Sequence, residues 1–151
     1  MKEDKQMKFF KLALFQAELF SKDPSKKVCC LFIMPKTMQI LSTGYNGLPR
    51  NINETESRWE RPNKYKYVVH AEANGIYNAC MNGVSLKNSI CVVTMFPCSS
   101  CAKGLIQVGI NELLTSKPDY KHKRWGEDFK YSFEMLTEVG INIKYVNWKI
   151  K

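Results

Sequence analysis

Two short stretches carry residues able to do chemistry. His70-Ala71-Glu72 stands where an apolar run gives way to a helical pattern, and Pro97-Cys98-Ser99-Ser100-Cys101 opens a second helical pattern directly after an apolar strand. On a helix body, residues two apart point to different sides. In a first turn the backbone N–H groups are free and side chains there can converge on one object. Cys98 and Cys101, three apart at a helix start, can place both sulfurs on one ion, and His70 offers a third ligand from the neighbouring helix start. Three protein ligands with a fourth position for water is the pattern of a catalytic zinc site, whereas structural sites are closed. Glu72 needs no metal bond. Beside that water it can accept a proton and hand it on. Two thiolates balance the charge of the ion, and helix N-termini stabilise negative charge nearby.

The elements that must position these residues follow from periodicity and turn chemistry. Phe9, Leu12, Phe15, Leu19 and Phe20 recur near helical spacing, so residues 7–20 are expected to form an amphipathic helix that stops at Pro24. Residues 28–34 and 38–45 read as an antiparallel hairpin, and the polar stretch 46–66, with two prolines and a glycine, as a long loop. Helix 70–82, strand 89–96, helix 99–108 with Gly109 as its stop, strand 111–116, helix 127–139 and strand 141–148 follow. Strand–helix alternation in the later half argues parallel pairing with right-handed crossovers. With the hairpin added, the expectation is an α/β fold with a mixed sheet and helices on both faces, one domain over residues 1–151.

Composition narrows the function classes. No apolar run approaches the roughly 20 residues needed to span a bilayer. The N-terminus mixes acids among its basic residues and has no signal-peptide pattern, so a cytoplasmic protein that does not engage membranes is expected. Cys29, Cys30 and Cys91 lie in core-like apolar runs and Cys80 late in a helical pattern, all read as packing. The net charge of +9 comes from 23 scattered basic residues, dense only in Lys121-His122-Lys123-Arg124. Lysine outnumbers arginine, which disfavours repeated bidentate recognition of nucleic acid. A solvated basic surface accounts for the charge, and an anionic small substrate fits it equally well.

Taken alone, the C-x-x-C also reads as a redox pair. Together, the stretches match the H-x-E…P-C-x-x-C signature of zinc nucleobase deaminases. The flanking segments SKDPSKKV (21–28), GYNGLP (44–49), YKYVVHAE (65–72) and FPCSSCAKGLIQVGI (96–110) closely resemble the deoxycytidylate (dCMP) deaminase family, in register from about residue 20 to 120. The chain departs from that family at Cys29–Cys30, where Gly-Ala is common, and at Arg50–Asn51, where a glycine often follows GYNGLP.

That resemblance implies a three-layer α/β/α sandwich of the cytidine-deaminase type around a central mixed five-stranded sheet. It implies hydrolysis of dCMP to dUMP, feeding thymidylate synthesis, by a homohexamer that dCTP activates and dTTP inhibits, with Mg2+ accompanying the effector. Carried over by position, His70, Cys98 and Cys101 hold Zn2+ and Glu72 shuttles protons. The Ala71 N–H meets the pyrimidine carbonyl, Asn46 the sugar 3′-hydroxyl, and Phe96 and Tyr120 pack on base and sugar. The loop with Lys22, Ser25 and Lys26 is a candidate for the 5′-phosphate, and Gly44, Tyr45, Gly47 and Arg50 for the effector. Alternatives are a deaminase of the same fold acting on cytosine, cytidine or tRNA adenosine, or a non-catalytic zinc module binding nucleic acid. His122 and the other cysteines do not make a second metal set.

Overall fold

The computed structural model describes residues 2–147. Five strands form one mixed sheet in the order β2-β1-β3-β4-β5. They are β1 (Cys29–Ile33), β2 (Ile40–Tyr45), β3 (Ile90–Val93), β4 (Glu112–Thr115) and β5 (Asn142–Tyr145). β1 runs antiparallel to β2 and β3, while β3–β4 and β4–β5 are parallel. The crossovers between the parallel strands are α5 (Ser99–Gln107) and α6 (Gly126–Glu138). Gly109, at φ +76°, takes the chain out of α5 in the left-handed region that suits glycine.

Both faces of the central strands are covered, which is why β1 and β3 read as unbroken apolar runs. Cys30 and Phe32 face one core with Ala71, Leu105, Phe129 and Leu136. Cys29, Leu31 and Ile33 face the other, beneath α1 (Glu3–Phe20). The first core is roofed by α4 (Ala71–Met81), α5 and α6. The three layers are therefore α1, the sheet, and α4–α5–α6. This is the α/β/α sandwich with a mixed five-stranded sheet that the sequence led us to expect.

Several local expectations need correction. α1 begins four residues earlier than expected and seats Phe10, Ala13 and Ala17 on the sheet. Leu12, Phe15, Leu19 and Phe20 point outward and are exposed. The helix is apolar on two sides, and the side with alanines allows the closer approach to the sheet. β2 starts at Ile40, because Met38 sits at φ +61° in the connecting turn. The stretch expected as a loop over 46–66 contains two single-turn helices, α2 (Glu56–Trp59) and α3 (Lys64–Tyr67). Cys80 is exposed and does not pack in the core. β5 ends at Tyr145, and Trp148 lies outside the described residues. Among the described residues no helix is long and apolar enough to cross a membrane.

Candidate active site

His70 is the N-cap of α4 and Cys98 the N-cap of α5, both with extended backbone angles. Each carbonyl accepts the first bond of its helix, from Asn74 N at 3.0 Å and Ala102 N at 2.8 Å. Side chains at these positions leave along the helix axis. The two helices lie side by side, so their starts open onto one point. His70 Nδ1 lies 3.5 Å from the sulfurs of both Cys98 and Cys101. The three ligand atoms fall within 4.8 Å of one another.

These distances fit zinc. Zn–S bonds of about 2.3 Å and Zn–N bonds of about 2.1 Å at tetrahedral angles give an N···S edge of about 3.6 Å. The thiols behave as a ligand pair does. A hydrogen bond from Cys101, with help from His70, brings Cys98 down to about 4. The Cys98 thiolate and burial hold the proton on Cys101. One proton leaves easily and the second only for a cation that replaces it.

Glu72, in the first turn of α4, is buried. Burial, and then the nearby Cys98 charge, push its carboxyl up to about 7. A carboxyl poised near neutrality can both take and give a proton. The neighbouring Ala71 occupies the first position of the helix, so its N–H has no intrahelical acceptor.

Residues far away in sequence hold this centre. Asp128 on α6 accepts hydrogen bonds at 2.6 Å from both the backbone N and the Oγ of Ser99, the first residue of α5. That anchors the helix start bearing both cysteines. The Trp125 ring meets His70 edge-on, centroids 5.9 Å apart. Neither residue carries a local signal that could have identified it.

His70, Glu72 and Cys98 open into a cavity of about 880 Å³, which Ser25, Asn46, Ala71 and Phe96 also line. The cavity wall holds six cations, Lys26, Arg61, Lys64, Lys117, Lys123 and Arg124, against three carboxylates, Asp23, Glu72 and Asp119. Lys64 is paired with Asp23. Among the described residues, none of the other five has a carboxylate partner. Arg124 packs against Tyr65 and Trp125, and its guanidinium is pulled below its ordinary value by desolvation and by Arg61. The dense basic stretch 121–124 thus supplies cavity groups, contrary to its reading as solvated surface.

Other expected site residues sit elsewhere. Lys22 pairs with Glu54 at 2.8 Å and does not line the cavity, because its side chain leaves the loop on the solvent side. Tyr120 is exposed, and the wall nearest it is made by Pro118, Asp119 and His122. Asn46 lines the cavity, but all four hydrogen-bonding positions of its amide are filled. Oδ1 accepts from Ser21 Oγ and Val28 N, and Nδ2 donates to Asp23 and the Lys26 carbonyl. It is an organiser of the wall and not a free amide awaiting a sugar.

Gly44 is approached closely by α4 and not by a ligand, since a Cβ there would lie 2.2 Å from Gly75 N. Tyr45 is exposed and stacks on Phe20, Gly47 pairs with Val69, and Arg50 hydrogen-bonds Asn78. None of Gly44, Tyr45, Gly47 and Arg50 lines the cavity.

Comparison with known proteins agrees with this geometry. The description "Cytidine and deoxycytidylate deaminase zinc-binding region" matches residues 3–117. A probable deoxycytidylate deaminase of Drosophila melanogaster is 38% identical over 135 residues, covering 82% of this chain and 64% of that protein. This chain therefore spans somewhat less than two thirds of that relative. An uncharacterized deaminase in the luxG 3′ region of Aliivibrio fischeri is 32% identical, covering 92% and 91% of the two chains. In fold, the chain is similar to the dCMP deaminase of cyanophage S-TIM5, solved with dCMP and dUMP, at a TM-score of 0.77 and 22% identity over 97% and 99% of the chains. The matched region spans both helix starts of the candidate site, and the chain belongs to the cytidine and deoxycytidylate deaminase family.

Proposed function

We propose that the protein hydrolyses dCMP to dUMP and ammonia. The observation that carries the substrate is the cavity itself. It joins a zinc-ligand triad and a near-neutral carboxyl to five cations without carboxylate partners, which suits a pyrimidine bearing a 5′-phosphate. The names of the relatives support the same substrate.

His70, Cys98 and Cys101 would hold zinc, which when bound supplies Lewis-acid activation of water, bringing its pKa to about 7. Glu72 accepts the proton of the water that attacks C4 and passes it to ring N3. It then takes the proton of the new C4 hydroxyl and gives it to the departing amine, so that the C4–N bond breaks as the carbonyl forms and ammonia leaves. The Ala71 N–H orients the ring through its carbonyl, and Phe96 walls the base. Lys26, already a candidate, shares the phosphate role with Lys117, Lys123 and Arg124, which stand in for Lys22.

Regulation by dCTP and dTTP with Mg2+, in a homohexamer, belongs to the same reading. Asn46 faces the cavity while its neighbour Tyr45 is exposed beside Phe20. A loop that shapes the cavity wall through one residue and meets an effector through another can couple the two sites. The exposed Phe15, Leu19 and Phe20 give that side of the molecule an apolar surface suited to another subunit.

One experiment tests this reading. Ammonia release is measured from dCMP, deoxycytidine and cytosine, with and without each triphosphate and Mg2+. We expect kcat/KM for dCMP to exceed that for deoxycytidine by about a hundredfold or more, since a site built for an anion leaves its donors unpaired without one. We also expect Arg124→Ala to erode this preference. We expect sigmoidal dCMP dependence, depressed by dTTP and relieved by dCTP. Equal constants for dCMP and deoxycytidine would reject the substrate, and hyperbolic kinetics indifferent to both triphosphates would reject the regulation.

A further inference from the structure

One buried ion pair in the cavity wall takes no part in the chemistry described above. Lys64 Nζ lies 2.6 Å from Asp23 Oδ1, with the two side chains 8% and 2% exposed. Asp23 is the hub of a polar network. Its Oδ1 also accepts from Ser25 N at 2.8 Å and Lys26 N at 3.1 Å, and its Oδ2 accepts from Asn46 at 2.9 Å. Lys64 is tied at the other end to the arm that carries His70. Its carbonyl accepts from Val68 N, and Val69 exchanges both backbone bonds with Gly47. The pair therefore joins two chain segments about forty residues apart in sequence, one bearing Lys26 and the other leading to the metal ligand.

Such a pair is a poor source of stability, because desolvating both charges offsets much of their attraction. Its location suggests another use. Asp23 lines the cavity in which the other cations stand without carboxylate partners. An uncovered carboxylate there would repel an anionic substrate and draw Lys26 and its neighbours toward itself. The lysine covering it is supplied from inside the wall, so the rim cations stay free.

We propose that Lys64 is a specificity-determining positioning residue: it masks the Asp23 carboxylate, which shapes the wall, from the 5′-phosphate of the substrate. This rests on the reading that the substrate is a nucleoside monophosphate. The two partners then act with opposite sign on the preference for an anion. Removing Lys64 exposes a negative charge to the phosphate. Removing the charge of Asp23 leaves a surplus positive one, while the amide oxygen of an asparagine still accepts from Ser25 N and Lys26 N.

The test compares kcat/KM for dCMP with kcat/KM for deoxycytidine in the parent, Lys64→Met, Asp23→Asn and the double variant, each with its zinc content measured. The ratio of the two constants cancels damage that falls on both substrates alike. We expect the ratio to drop roughly tenfold in Lys64→Met, less so in high salt, to hold or rise in Asp23→Asn, and to return toward the parent value in the double variant. Lys64→Arg, which keeps the charge, should keep the ratio. If both single variants shift the ratio the same way, or neither shifts it, the pair is structural only and the proposal fails. If Lys64→Met does not fold, the sign of the change in Asp23→Asn decides: a fall in the ratio overturns the proposal. A parent enzyme with no preference for dCMP would instead reject the monophosphate reading, and this inference with it.

Discussion

Gly44→Ala tests how the fold sets the site. Gly44 lies in β2, against α4, whose N-cap is His70 and whose first turn bears Glu72. A Cβ at residue 44 would stand 2.2 Å from Gly75 N and 2.3 Å from Ala71 O, where ordinary contact begins at 3.4 Å. The shortfall is 3.4 − 2.2 = 1.2 Å and 3.4 − 2.3 = 1.1 Å. Both obstacles are backbone atoms, so no rotamer change relieves them. The strand and helix are also stitched together by Ser42 Oγ to Gly75 O at 2.7 Å, Asn74 Nδ2 to Tyr45 O at 2.8 Å and Asn78 Nδ2 to Thr43 O at 2.6 Å. The helix must then move by about 1 Å against those bonds. Overpacking of this kind costs up to about 3 kcal/mol or more. In a domain of this size that corresponds to roughly 6–12 °C in Tm. The displacement shifts His70 and Glu72 relative to the cysteines, which ride on α5. A 1 Å misplacement costs about a hundredfold in turnover. Calorimetry of the zinc-loaded protein, zinc content and ammonia release from dCMP read the three consequences. A Tm within 2 °C of the parent together with turnover within twofold would refute the argument that backbone contact at Gly44 positions the site.

Two further outcomes bear on the centre. Purified protein should carry close to one zinc per chain by atomic absorption, and Cys98→Ala or Cys101→Ala should lose it, since two ligands hold the ion far less tightly than three; full activity without metal would sink the mechanism. Glu72→Ala should keep zinc and still bind dCMP in calorimetric titration, while turnover falls about a thousandfold or more; turnover within tenfold of the parent would remove Glu72 from the proton path.

The zinc triad was legible because its logic is local. Cys98 and Cys101 share one helical turn, Pro97 marks the corner before it, and Glu72 follows His70 within the first turn of its own helix. What remained was whether two helix starts meet, and for that strand–helix alternation supplied parallel strands joined by right-handed crossovers. The mixed sheet and the apolar runs of β1 and β3 followed from periodicity, the three layers came with the family resemblance, and the strand order β2-β1-β3-β4-β5 is known only from the structure.

The rest was settled by pairings between residues distant in the chain. Which side of α1 meets the sheet was not decided by periodicity, because the helix is apolar on two sides and only packing distance favours Phe10, Ala13 and Ala17 over Leu12, Phe15 and Leu19. Gly44 was expected to meet an effector, but what approaches it is helix α4. Lysines and arginines look alike in sequence whether solvated, paired or facing a cavity. Lys22 turned out to pair with Glu54, Lys64 with Asp23, and Lys123 and Arg124 to line the cavity wall. Asp128 at Ser99 and Trp125 at His70 are contacts made only once α6 crosses back over α5. The sequence by itself marked the candidate ligands and carboxyl, since Cys98 and Cys101 share one helical turn and Glu72 follows His70 within another. Tertiary structure alone decided which charges face the cavity, because a long flexible cation takes its meaning from whatever the folded chain brings within a few ångströms of its end.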